Sequence, residues 1–217
     1  MYHLPVNARN ATKLMTVNGK GSVNAQPDTA YMTLGVRTGD IKLETAQAIN
    51  AETMNEVTAA LQELGVTDEQ IQTINYSITP QYDYVDGQQV FREYEVVHVI
   101  SVTTNQMDDI GVIIDTAVSH GVNQVAEVSF SLASSNRFYQ EALHLAVRNA
   151  RVHAETIART LELQLAAVPV TIAEKPPLSS DLSVYALQAA TPIAPGQLTI
   201  TAEVEVQYAY AAPHQRI

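Results

Sequence analysis

Residues 46–66 read AQAINAETMNEVTAALQELGV, and this stretch decides the fold. Ala46, Asn50, Met54, Val57, Leu61 and Leu64 recur at spacings of four, four, three, four and three, which gathers them on one face of a helix. Gly65 accepts the left-handed position after a helix without a Cβ clash, and Val66 can fold back on Leu61. Just upstream, Ala30, Met32, Leu34 and Val36 alternate with Tyr31, Thr33, Gly35 and Arg37, the period of a half-buried strand. Downstream, Ile71 to Pro80 reads as another strand, with Ile74, Tyr76 and Ile78 on one side. The same order returns over residues 90–132. There a strand, Val90 to Thr104, is apolar on both faces around Tyr94–Val102, as a central strand would be. A helix follows, capped by Asn105, with Asp108 and Asp109 in its first turn and Met107, Ile110, Ile114, Ala117 and Val118 as its stripe. It too ends in Gly-Val, at Gly121-Val122, before Ala126, Val128, Phe130 and Leu132 alternate.

Around this duplicated core the remaining pieces fall into place. Met15, Val17, Gly19, Gly21 and Val23 alternate with polar residues, and Pro27-Asp28 separates them from the strand at residues 30–36, so the two runs are expected to form an antiparallel hairpin. Asp86-Gly87 predicts a two-residue turn of type I′, which would set Tyr82 opposite Phe91. Residues 136–162 form a third helix, where Ala142, Ala146, Ala150, Ala154 and Ala158 make a ladder that lets it lie close on a sheet. Val168, Val170 and Ile172 make a short strand that Pro169 confines to an edge. Leu198 to Tyr210 closes the chain with alternating dry and wet faces.

The predicted class is therefore α+β: a mixed, largely antiparallel sheet with three helices packed on it, built from two βαβ-like units, a long third helix and a C-terminal strand. Residues 15–210 form the domain, 1–14 and 211–217 are tails, and 175–196 is a long loop or arm. That arm holds Leu182, Tyr185 and Leu187 among several prolines and few charges, and a connection of this length is usually functional or disordered.

Composition excludes more than it selects. The chain has 217 residues, 46% of them apolar and 16% charged, enough to fold. Its net charge of −11 argues against nucleic acid and anionic membranes as partners. No run of 18 apolar residues is present, so no membrane insertion is expected. With no cysteine there is no disulfide, thiol nucleophile or thiolate metal site. The first ten residues, broken by Pro5, Asn7, Arg9 and Asn10, do not read as a secretory leader, and a cytoplasmic location is expected.

No catalytic constellation emerges. Gly19-Lys-Gly-Ser22 lacks the upstream glycine of a phosphate loop and sits inside a strand, where its glycines permit close packing. The histidines at 3, 98, 120, 144, 153 and 214 show no HExxH spacing, and His98 reads as a satisfied core or interface residue. Asp108 and Asp109 point apart on a helix. No catalytic residue, cofactor or metal ligand is assigned. Exposed apolar segments mark interfaces, so Tyr82, Tyr84 and Phe91 of the hairpin and Leu182, Tyr185 and Leu187 of the arm are the candidate interface. A homo-oligomer is expected. The alternative is a module that binds a small molecule or peptide at the sheet edge near Val168–Ile172 or in a pocket between subunits.

Val17-Asn-Gly-Lys-Gly-Ser-Val23 with Pro27-Asp28, Leu61-Gln-Glu-Leu-Gly-Val66 with Ile71-Gln-Thr73, Tyr94-x-Val96-x-His98-x-Ile100, Phe130-Ser-Leu132, Pro195-Gly196 and Val204-Glu-Val-Gln-Tyr208 together resemble the SIMPL-domain family, in order and spacing, over residues 15–210. That family includes bacterial periplasmic immunogens and a mammalian signalling protein associated with a Pelle-like kinase. The resemblance implies an α+β fold, ring-like homo-oligomers, no established catalytic residues, and for some relatives a link to oxidative or envelope stress. His98 stands where relatives often carry asparagine, and many relatives are exported.

Overall fold

The computed structural model describes residues 13–176 and 195–211. In chain order they form β1 (Lys13–Ala25), β2 (Thr29–Asp40), α1 (Leu43–Glu63), β3 (Ile71–Val85), β4 (Gln88–Thr104), α2 (Ile110–Ser119), β5 (Gln124–Ser131), α3 (Ser135–Thr160), β6 (Gln164–Leu165), β7 (Thr171–Lys175) and β8 (Leu198–Ala211). The class is α+β, with helices packed on antiparallel sheets. The strands divide between two four-stranded sheets rather than one, and every pairing among them is antiparallel. The chain correspondingly gathers into two compact units.

One unit holds described residues 26–133 together with 195–197. Its strand order is β3-β4-β2-β5. The two expected βαβ-like units are present in split form. The strands β2 and β3 flanking α1 are separated by β4, and the strands β4 and β5 flanking α2 are separated by β2, which is the ferredoxin-like βαββαβ arrangement. Met32, Leu34, Val36, Ile100 and Val102 of the sheet pack against Met54, Val57 and Leu61 of α1 and Ile110, Ile113 and Ile114 of α2. Both helices end as the sequence predicts. Gly65 sits at φ 88°, its N–H donates to the Gln62 carbonyl, and the Val66 N–H donates to that of Leu61. Gly121 (φ 111°) and Val122 repeat the pattern on Val118 and Ala117, giving two Schellman caps. The expected start of the second helix is corrected: α2 begins at Ile110, not behind Asn105. Thr104 Oγ1 accepts from the Gln106 N–H and turns the chain first, leaving Asp108 and Asp109 ahead of the helix. Val118, expected in the stripe, is exposed.

The other unit holds described residues 13–25, 134–176 and 198–211. β8 is central in its sheet, with β1 along one edge and β6 and β7 along the other. The expected β1–β2 hairpin does not form. β1 pairs with β8 over thirteen residues, from Lys13↔Tyr210 to Ala25↔Leu198, and β2 pairs with β4 and β5. Pro27-Asp28 therefore marks a passage between sheets. The alanine ladder packs α3 against Val17, Ala202, Val204 and Val206. β7 lies at an edge as expected but begins at Thr171, so Pro169, which has no N–H for a ladder, stays outside it.

α3 closes with a Schellman cap of its own, the Leu163 N–H donating to the Ala158 carbonyl at 2.7 Å, but the left-handed position is held by Glu162 at φ 53°. A side chain there is strained where glycine is not. Glu162→Gly is expected to stabilise the protein by about 1 kcal/mol, read as a higher denaturation midpoint in urea.

Candidate functional site: an aromatic ribbon beyond the sheet

The candidate site is built by an excess of strand. β2 runs beside β4 only as far as Asp40↔Tyr94, so residues 81–93 of β3 and β4 continue as a two-stranded ribbon with no third strand beside it among the described residues. Asp86 at φ 52° and Gly87 at φ 78° make the expected tight turn, with Val85 opposite Gln88. Counting back from it sets Tyr82 opposite Phe91, as the sequence predicts. The register then slips between Gln81 and Tyr82, because Arg92 is the extra residue of a bulge. Its guanidinium lies 3.5 Å from Asp83 Oδ1 and 3.0 Å from Glu93 Oε1.

The aromatic residues share a face. The Tyr82 and Phe91 ring centroids are 5.9 Å apart at 79°, an edge-to-face contact, and Phe91 stands 5.0 Å from Tyr94. Such contacts contribute about 0.5–1.5 kcal/mol each, whereas exposed ion pairs such as those of Arg92 give about 1 kcal/mol at most. Tyr84, two residues beyond Tyr82 and so on the same face, is 76% exposed. Tyr82, Val85, Val90 and Phe91 are also exposed. A ribbon of two strands is marginal in water on its own, so these rings brace it without covering it. Of the six expected interface residues, Tyr82 and Phe91 touch and Tyr84 adjoins them, while Leu182, Tyr185 and Leu187 lie outside the described residues. Val85 and Val90 were not foreseen; they alternate onto the opposite face from the aromatic rings that drew attention to the hairpin.

The sheet below the ribbon carries His98. Its Nε2 lies 3.0 Å from Thr73 Oγ1, and its ring meets the edge of Tyr76 with centroids 5.3 Å apart. It is half-buried, and burial lowers its pKa from the usual histidine value. Among the described residues its side-chain hydrogen bond goes to the Thr73 hydroxyl, not to an acid that would make a catalytic pair. The shift has a thermodynamic consequence. Between the two pKa values the unfolded chain holds the proton and the folded one does not, so stability rises with pH. The contribution is complete above the unfolded value of about 6.5 and is lost as pH falls through the folded one. Urea midpoints are expected to fall between neutral and mildly acidic pH, and His98→Asn is expected to flatten that slope.

Elsewhere among the described residues, no three His, Asp or Glu side chains gather as a metal ion would need, and no helix is long and apolar enough to cross a membrane. Gly19-Lys-Gly-Ser22 lies within β1, with both glycines buried beneath α3.

Comparison with known proteins adds a family. Residues 15–208 match the family described as SIMPL, protein of unknown function (DUF541). The chain is 27% identical over 154 residues to the uncharacterized protein YggE of Escherichia coli K12, covering 71% of this chain and 63% of that protein. It is 30% identical over 171 residues to the 26 kDa periplasmic immunogenic protein of Brucella melitensis, covering 76% of this chain and 68% of that one. A YggE of Edwardsiella ictaluri matches at 26% over 155 residues, covering 71% and 65%. The match thus spans a little under two thirds of the YggE relatives' own length.

Proposed function

The chain belongs to the SIMPL family, and from that footing we propose that it is a non-enzymatic, self-assembling protein whose aromatic ribbon is covered by other copies of the same chain. One observation carries this reading. Residues 81–93 run past the last residue that β2 supports and hold Tyr82, Tyr84 and Phe91 in water. Exposed apolar surface on a marginal element is favoured when another molecule removes it from solvent. The arm at residues 175–196 is proposed to contribute Leu182, Tyr185 and Leu187 to the same contacts. A role in stress physiology is proposed on the family resemblance alone.

The test is sedimentation velocity of the full chain at tens of micromolar. Particles larger than one chain are expected, and Tyr84→Ser with Phe91→Ser is expected to shift them towards single chains. Single chains without any substitution, or an assembly indifferent both to those substitutions and to removal of residues 178–193, would overturn the proposal.

A second reading has one observation in its favour. β7 pairs only with β8 among the described residues, and Ile172 on it and Val170 just before it are exposed. An extended peptide could add there as a further strand.

A further inference from the structure

The outer edge of β1 has no strand beside it among the described residues. Such an edge offers unpaired backbone groups to any other chain, and proteins usually block it. Here the block comes from Asn149 and His153, one turn apart on α3. The Lys20 N–H donates to Asn149 Oδ1 at 3.0 Å. Asn149 Nδ2 lies 3.4 Å from His153 Nε2, and His153 Nδ1 lies 3.0 Å from the Asn18 carbonyl oxygen.

The direction of this relay is forced from both ends. A peptide N–H only donates, so Asn149 Oδ1 accepts and its amide nitrogen faces the ring. A peptide carbonyl only accepts, so Nδ1 carries the ring proton. Nε2 must then be the bare nitrogen that receives from Asn149. The relay closes only when the imidazole is neutral. It is also well placed as a block, because a carbonyl and an N–H two residues apart are the groups that one residue of an added parallel strand would engage.

We propose that Asn149 and His153 form a pH-sensitive lock on the outer edge of β1, closed while His153 is neutral and opened when it is protonated. An imidazolium donates from both nitrogens, so its Nε2–H would oppose the Asn149 amide nitrogen. Turning the amide gives that proton an acceptor but sets the nitrogen against the Lys20 N–H. Either arrangement breaks the relay. Charged groups lining the same cleft are Lys20 of β1, Lys175 of β7 and Glu203 of β8. They are largely balanced: Lys20 Nζ is 3.7 Å from Glu203, and Lys175 Nζ is 3.6 Å from Glu205 while also donating to Asn18 Oδ1 at 3.1 Å. On the α3 side the adjoining groove is lined by the uncharged Thr156 and Ile157. Hydrogen-bond demand therefore sets the state of the lock, through which ring nitrogens carry a proton.

The test is nuclear magnetic resonance on the full chain from pH 8 to pH 5. Ring nitrogen shifts of His153 report which nitrogen is protonated, and amide exchange of Lys20, corrected for its intrinsic rate, reports the lock. A proton on Nδ1 at pH 8 is expected, with Lys20 protection falling about tenfold at the midpoint of His153 protonation while the β1–β8 ladder stays protected. Asn149→Ala is expected to remove the Lys20 protection at pH 8. A ring protonated on Nε2 at pH 8, Lys20 protection that is flat through the His153 titration, or protection unchanged by Asn149→Ala would overturn the proposal.

Discussion

Gly21→Ala is expected to lower stability by about 3 kcal/mol, at the upper end of what overpacking ordinarily costs. A Cβ at Gly21 would run into the Ala142 carbonyl oxygen and lie 2.5 Å from the Ala146 nitrogen and 2.7 Å from Leu145 Cβ. Two of those three neighbours are helix backbone, which cannot step aside as a side-chain end can. α3 would have to lift from β1, and the buried ladder of Ala142, Ala146, Ala150, Ala154 and Ala158 would lose its close contact. Gly19 is placed similarly, with the Ala146 carbonyl and the Ala150 nitrogen in the way. Gly39→Ala is the control. There the three atoms nearest the added Cβ all belong to the carboxylate end of the Glu93 side chain, which can swing away, so a small loss is expected. Urea midpoints of the two variants against the unsubstituted chain measure the difference.

Asn50→Asp is expected to cost about 3 kcal/mol at neutral pH. Asn50, on α1, is 1% exposed. Its Nδ2 donates to the Val36 carbonyl at 3.0 Å and to that of Val96 at 3.4 Å, tying the helix to β2 and β4, while its Oδ1 has no partner among the described residues. A carboxylate in its place has nothing to donate and sets negative oxygens against two carbonyls in a dry site. Burial would raise the introduced carboxyl above its unfolded pKa. The folded state then binds the proton more readily than the unfolded chain, so the deficit is largest at neutral pH and shrinks as the pH falls. Asn50→Leu is expected to lose less, because it buries no charge and removes the unpartnered oxygen as well. Denaturation midpoints of the three proteins at neutral and mildly acidic pH check both the order and the sign.

Much of this architecture is written in short-range pattern. Ala46, Asn50, Met54, Val57 and Leu61 are buried along α1 at the spacing that announces a helix. The glycines at 65 and 121 stand at the positive φ that their place after a helical stripe implies. The alternation of β8 from Leu198 onward survives as alternating burial. What the pattern lacks is partnership. Val17 pairs with Val206, far along the chain, and nothing near Val17 points to that residue in preference to the adjacent strand across Pro27-Asp28. Chain proximity favours the nearer run, but β1 pairs with β8 instead. The onset of α2 departs from the pattern for a related reason. Asn105 has the right side chain for a cap, but Thr104 Oγ1 takes the Gln106 N–H and delays the helix to Ile110.

The site was legible where geometry is local and silent where it is not. Asp86-Gly87 fixes the turn, and the turn fixes Tyr82 against Phe91. The slip at Gln81/Tyr82 could not be read, since Arg92 looks like any residue of an alternating strand. That the ribbon outruns its neighbour depends on where β2 stops, a property of two strands far apart in sequence. The relay of Asn149 and His153 had no signature either, because the groups it satisfies belong to the backbone of β1.

The central claim is that residues 81–93 are covered by another copy of the chain. Amide hydrogen exchange of the full protein, followed from sub-micromolar to tens of micromolar concentration, tests it most directly. If the claim holds, protection of 81–93 rises with concentration while the Met32–Leu34–Ile100 core stays constant. A ribbon that exchanges equally fast at every concentration would contradict it.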